Sequence, residues 1–283
     1  MNVALDLTTP LGVVLAEMDA VLEHPVDLLA IGAEARDILA SQLSPDLRLV
    51  ATTDVDLVLA VDDWRQYADT FAGLTPFGPR GMMFTVAGVR VDIIPFGPVE
   101  DPPGSIRPPW MNEPFSVGAL RPVFDTATPM TLPEAWRLTC RVPTVAGFAA
   151  LKLHAWLERS ALGETKDAGD FGVALAWFVS DATTMERLAL QHSHLVRAPE
   201  FDLHAAAGHL LGRDIAELLG PGLATELHTR WSHDSRAHMA RLLSSRGLRG
   251  ATGVGNESYA GALLTRVAEG LSDGTGGGAT LTS

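Results

Sequence analysis

The sequence predicts a small mixed α/β layer followed by an all-helical region, and three observations carry that expectation. In DLLAIGAEARDIL an apolar run at 28–31 meets a glycine turn, Gly32-Ala33, and then a helical pattern over 34–43. The runs DVDLVLAV and VAGVRVDIIPFG have the two-residue period and β-branched content of extended chain. From Pro133 onward, apolar side chains recur at helical spacing almost throughout.

Taken in order, Leu11, Val14, Leu15, Met18, Val21 and Leu22 predict a first amphipathic helix over 11–22 that leads into the strand at 28–31. After the DVD strand, Asp62-Asp63-Trp64 starts a helix to about 71, with acids at its positive end. The link LTPFGPRG opens a hairpin over 82–94 turned at Ala87-Gly88. PFGPVEDPPGSIRPPWMNEPF is too rich in proline for regular interior structure and predicts an ordered loop or crossing, with Arg107, Trp110 and Arg121 as surface decoration. Helices follow at 145–160, 167–180, 184–192, 201–219, 224–245 and 257–271. The domain expectation is 1–130 for the α/β layer, 131–271 for the helical region and 272–283 for a flexible tail.

The chain has 283 residues, 47% of them hydrophobic, enough for a substantial core, and a net charge of −13. A chain this acidic meets a nucleic acid only through a local basic patch, and the same acidity suits a cationic small molecule. The single cysteine, Cys140, excludes an intramolecular disulfide and favours a reducing cytoplasm. No apolar run approaches the ~18–20 residues of a membrane span, and the N-terminus lacks a signal peptide's basic region, so no membrane partner is expected. Zinc spacings, a P-loop, GxSxG and a dinucleotide fingerprint are all missing from the sequence.

The chemistry concentrates in carboxylates. Asp54 and Asp56 are two apart on a strand and project from one face, and Arg90 and Asp92 share a face of the hairpin's second arm, so Asp92 can join them from a neighbouring strand. Like charges held this close are costly without a cation between them, and oxygen-only donors favour a hard ion, Mg²⁺ or Mn²⁺. The turn Gly32-Ala33 ahead of a helix offers backbone N–H groups and a positive dipole end to a phosphate.

This glycine turn, the DxD and the third aspartate together resemble the nucleotidyltransferase (polymerase-β-like) superfamily. The closer resemblance is to its AbiEii-type branch, which includes toxins of type IV toxin–antitoxin and phage-defence systems. It runs through Gly32-Ala33, Arg48, TTDVDLVLAV, VDIIPFG and VPTVAGFAALKLHAWLERSALGETKDAGDF, about 27–178. It implies an α/β (α+β) nucleotidyltransferase domain with a small mixed sheet and an all-helical C-terminal domain. It also implies that Asp54, Asp56 and Asp92 hold divalent metal for in-line attack on the α-phosphate of a nucleoside triphosphate, NTP. The superfamily usually has Gly-Ser at the turn, and with Ala33 here the phosphate is left to backbone amides.

Lys152, Trp156 and Arg159 are spaced i, i+4, i+7 and share a helix face, with Leu151 and Ala155 packing inward. By the resemblance, Lys152 and Asp170 belong to the catalytic set, Asp167 supports it, and Gly32, Ala33, Thr53, Lys152 and Arg159 line the nucleotide. The acceptor it implies is an RNA (tRNA) 3′ end, and a cognate antitoxin is an expected partner. Arg230, Arg236, Arg241, Arg246 and Arg249 against Asp234 form a basic stretch that either docks RNA or pairs with acids elsewhere. The alternatives are an aminoglycoside-type nucleotidyltransferase and an inactive member that binds nucleotide or partner only.

Overall fold

The computed structural model describes residues 3–44, 54–78, 81–197, 202–244 and 256–274. The chain divides into two compact units, Met1–Thr144 and Val145–Ser283. The first is mixed α/β and the second is helical.

In the first unit, β1 (Val3–Ala4) precedes α1 (Pro10–Val21), which begins at a Thr9 cap that accepts from the Gly12 amide. Proline at the first helical position supplies a pre-set φ where no N–H is needed. The far end of α1 is closed by Arg137, whose guanidinium donates to the carbonyls of Asp19, Leu22 and Glu23. Then come β2 (Asp27–Ala30), α2 (Gly32–Leu43), β3 (Asp54–Ala60) and α3 (Trp64–Thr70), the last capped by Asp63. The edge strand β4 (Thr75–Pro76) leads to the hairpin of β5 (Met83–Val86) and β6 (Val89–Phe96). Ala87 and Gly88 turn that hairpin with φ of 49° and 81°, the paired positive values of the two-residue turn that matches strand twist.

The proline-rich stretch contains more regular structure than its composition suggests. Strand β7 (Ser105–Ile106) lies inside it and pairs with β8 (Phe115–Ser116) at its end, and the helix α4 (Leu120–Thr126) follows. Strands β9 (Thr128–Thr131) and β10 (Thr139–Val142) then complete an eight-stranded sheet in the order β1-β9-β10-β2-β3-β6-β5-β4. The helical reading from Pro133 onward is thus corrected: Thr139–Val142 is extended and parallel to β2, fixed by Arg141 and Thr139 bonding to Asp27 across the pair. The break between the units follows Thr144 and not residue 130.

Every second side chain of the central strands is buried: Val55 and Leu57 on β3, Val91 and Ile93 on β6, Phe84 and Val86 on β5. Those strands leave their other face less buried, and that face carries the carboxylates.

The second unit contains α5 (Val145–Arg159), α6 (Lys166–Ser180), α7 (Ala182–Leu190), the short α8 (Ser193–Arg197), α9 (Leu203–Arg230), α10 (His233–Leu243) and α11 (Glu257–Asp273). Within α9 the chain is non-helical at Gly220, ahead of Pro221, as the expected end at 219 requires. The helix expected over 224–245 is instead two, because Ser232 accepts from the Ser235 amide and caps a new start. The α9 and α11 backbones approach closely at glycines: a Cβ on Gly270 would stand 1.9 Å from the His209 carbonyl oxygen, and one on Gly212 would stand 2.0 Å from that of Val267. Among the described residues no helix is long and apolar enough to cross a membrane.

Candidate functional site

Residues paired across neighbouring strands point to the same face, so the register of the sheet assembles the site. Strand β3 runs parallel to β6 with Asp54 opposite Arg90 and Asp56 opposite Asp92. Four charged side chains therefore form a square on one face, three of them acids and one a cation. Arg90 Nη2 stands 2.8 Å from Asp54 Oδ1, and its guanidinium lies 5.9 Å from the centre of the Phe77 ring.

The end of β2 closes over this square. The Ile31 amide donates to the Asp56 carbonyl at 3.0 Å, and α2 begins at once. Gly32 has φ of +63°, and a Cβ there would meet Asp56 Oδ2 at 2.1 Å. The glycine is needed twice, for the left-handed backbone and for the room it leaves the carboxylate. The side chain at the N-cap, Ile31, makes no capping bond, and the first turn of α2 starts beside Asp56.

Two further groups report the negative charge here. Glu34, in the first turn of α2, is buried, and its carboxyl is raised to about 7, first by burial and then by the charges of Asp37 and Asp56. Tyr67 is held far above its ordinary range by burial and secondarily by Asp92, so its hydroxyl stays protonated and donates to the Ile93 carbonyl at 2.8 Å. Glu34 escapes a sequence reading because an acid in a first helical turn ordinarily serves the dipole in solvent. Only the contact of Gly32 with Asp56 reveals that its turn is packed.

The expected metal set stands in a particular way. Asp54, Asp56 and Asp92 share the predicted face, but among the described residues no group of three or more His, Cys, Asp or Glu is placed to hold a metal ion. Asp54 is engaged by Arg90 instead. The three acids offer only oxygen donors, the kind a hard divalent ion takes, and Asp56 and Asp92 are register partners. Thr53 and Arg48 lie outside the described residues.

The second unit brings together Lys152, Arg159, Asp167 and Asp170. Lys152 Nζ is 2.5 Å from Asp170 Oδ2 and 3.6 Å from Asp167 Oδ1, and Arg159 Nη2 is 2.8 Å from Asp167 Oδ2. The Lys152 side chain is 8% exposed and that of Asp167 1%. The face expected to be open is therefore buried: Lys152 and Trp156 point inward, and Leu151 and Ala155 are the less buried pair. Trp156 donates from Nε1 to Ser235 Oγ at 2.9 Å, and two acids neutralise Lys152 and Arg159, which is why the inward turn is tolerated.

Two arginines of the basic stretch are engaged as well. Arg230 pairs with Glu158 at 2.6 Å and Glu226 at 3.1 Å, while Arg236 bonds to the Trp231 carbonyl and lies over its ring. Arg241 is exposed, and Arg246 and Arg249 lie outside the described residues. Of the loop residues, Arg121 stacks on Phe96 beside Asp125, and Trp110 packs over Gly81 and edge-on to Trp64.

A cleft of about 910 Å³ lined by Glu23, Asp27, Asp63, Arg65 and Asp69 opens at the far end of β3, around Leu59–Val61. About 10 Å of extended strand separates its Leu59 from Asp56, and none of Asp54, Asp56 and Asp92 lines it.

No family model, curated protein or solved structure matches the chain.

Proposed function

We propose that the chain is a metal-dependent nucleotidyltransferase that moves a nucleoside monophosphate from an NTP to an acceptor, with release of pyrophosphate. The observation that carries this reading is the register of β3 against β6. It sets Asp54, Asp56 and Asp92 on one face under a glycine turn whose Cβ position Asp56 already fills.

Asp56 and Asp92, joined by Asp54 when Arg90 releases it, would hold a divalent ion. Bound there, the ion supplies charge neutralisation for in-line displacement at the α-phosphorus. Gly32 and Ala33 open a helix with no side-chain cap, so backbone N–H groups can take a phosphate without the serine hydroxyl. Arg90 can exchange a carboxylate for a phosphate, the same guanidinium chemistry with either oxyanion. Lys152 and Arg159 neutralise Asp167 and Asp170, so their pairing favours a scaffold role over phosphate binding.

The acceptor we propose, on the resemblance to AbiEii-type proteins, is an RNA 3′ end such as that of tRNA, and the role is that of a toxin or defence component with a cognate antitoxin. The test is to incubate the protein with each labelled NTP, Mg²⁺ and total RNA. Label should enter RNA and should not do so with Asp56→Asn. If label instead enters an aminoglycoside, the small-molecule reading replaces the RNA one, and if it enters neither, the chain is a binding protein.

A further inference from the structure

The carboxylate rows do not stop at β6. Strand β5 pairs antiparallel with β6, placing Met83 opposite Asp92 and Thr85 opposite Arg90. Strand β4 pairs with β5 through Thr75 and Thr85, and the ladder continues as the Phe77 amide donates to the Met83 carbonyl at 2.7 Å. Asp56, Asp92, Met83 and Phe77 are thus successive members of one row on one face. Strands lie ~4.8 Å apart, so Phe77 is about 10 Å from Asp92 along that row.

Phe77 is 40% exposed although it stands on a sheet whose other phenylalanines, Phe84 and Phe96, are buried. An isolated exposed aromatic needs no explanation. This one is pinned by a backbone hydrogen bond in the row of the carboxylates, and the Arg90 guanidinium lies over its ring while also reaching Asp54. Arginine set over phenylalanine offers planar, weakly hydrated surfaces beside the acids. Aromatic and guanidinium planes of this kind bind nucleobases by stacking, with little preference among bases.

We infer that Phe77, flanked by Arg90, is the stacking platform for the base of the incoming nucleoside triphosphate. The inference rests on the nucleotidyltransferase reading. With the phosphates at Asp56, Asp92 and the start of α2, a ribose fills the interval over Met83 and the base arrives on Phe77. Because stacking discriminates poorly, the platform accepts any of the four bases, and selection among them lies with other groups.

The experiment compares binding of each NTP and of inorganic tripolyphosphate, both with Mg²⁺, to wild type, Phe77→Ala and Phe77→Trp by titration calorimetry. Phe77→Ala should bind NTP about ten- to hundredfold more weakly and tripolyphosphate unchanged. Phe77→Trp should retain NTP affinity and show nucleotide-dependent quenching of fluorescence beyond that of wild type. Wild-type NTP affinity in Phe77→Ala overturns the platform and leaves the transferase reading standing. Equal loss of NTP and tripolyphosphate also overturns it, since the defect would then lie in the phosphate site. A wild-type protein that binds no NTP overturns both.

Discussion

Arg90 Nη2 holds Asp54 Oδ1 at 2.8 Å across the β3–β6 pair, so a cation supplied by the chain occupies the position where the carboxylates call for positive charge. Both side chains are 48% exposed, and an ion pair this open contributes about 0.2–1 kcal/mol. It is weak enough to be exchanged for a divalent ion.

Removing the competitor should therefore favour the metal. We expect Arg90→Gln to bind Mn²⁺ about 1.4- to fivefold more tightly, as 0.2–1 kcal/mol converts, with thermal stability changed by less than about 1 kcal/mol. Calorimetric titration with Mn²⁺ reads this directly. An Arg90→Gln protein with weaker Mn²⁺ binding would show that Arg90 orders Asp54 for the metal and does not compete with it.

Gly32→Ala tests the closeness of the turn to the acid. The added methyl would stand 2.1 Å from Asp56 Oδ2 on a backbone at φ +63°, so both the carboxylate and the turn must move. A loss of about 1–3 kcal/mol in stability is expected from the strained φ, with transferase activity lost beyond what the folded fraction explains. Denaturant unfolding beside an activity assay separates the two, and an active Gly32→Ala enzyme would mean that Asp56 is dispensable or free to relocate.

The sheet was legible in the sequence because its signals are local. Alternation placed Asp54 with Asp56 and Arg90 with Asp92, and Ala87-Gly88 marked the turn between the arms. What alternation cannot supply is pairing: that β6 lies beside β3 in a register setting Asp56 against Asp92, or that Thr139–Val142 crosses back to pair with β2. The Lys152 face was misjudged for a similar reason. Spacing groups Lys152 with Trp156 and Arg159 and turns Leu151 and Ala155 inward, and only the fold reveals that Asp167 and Asp170 arrive to neutralise the lysine in the interior.

Glu34 gives the site a pH dependence whose sign is fixed. Its folded pKa is raised to about 7 from the ordinary 4.5, so between these values the unfolded chain has released the proton while the fold retains it. Stability then falls as pH rises through about 4.5 to 7 and is level above. Glu34→Gln should remove that slope and raise stability at pH 8 by roughly 1–2 kcal/mol, a value reduced for residual solvent screening. Urea midpoints at pH 5 and pH 8 measure it, and a slope that persists in Glu34→Gln assigns the dependence to other groups.

The last prediction concerns the buried network of the second unit, where Lys152 and Arg159 balance Asp167 and Asp170. Replacing Lys152 by Met keeps the volume and removes the ammonium that stands 2.5 Å from Asp170, together with one of the two cations beside Asp167. Breaking a buried pair from one side costs about 3–5 kcal/mol, whereas replacing both partners by apolar groups is often neutral. Lys152→Met should accordingly unfold at much lower denaturant, and Lys152→Met with Asp170→Leu should recover most of the loss, because Arg159 and Asp167 remain balanced. A phosphate-binding lysine behaves in the opposite way: its removal relieves no native pair, spares stability and weakens NTP binding. If Lys152→Met is as stable as wild type yet binds NTP poorly, Lys152 belongs to the nucleotide site, and the two aspartates only hold it until the phosphates arrive.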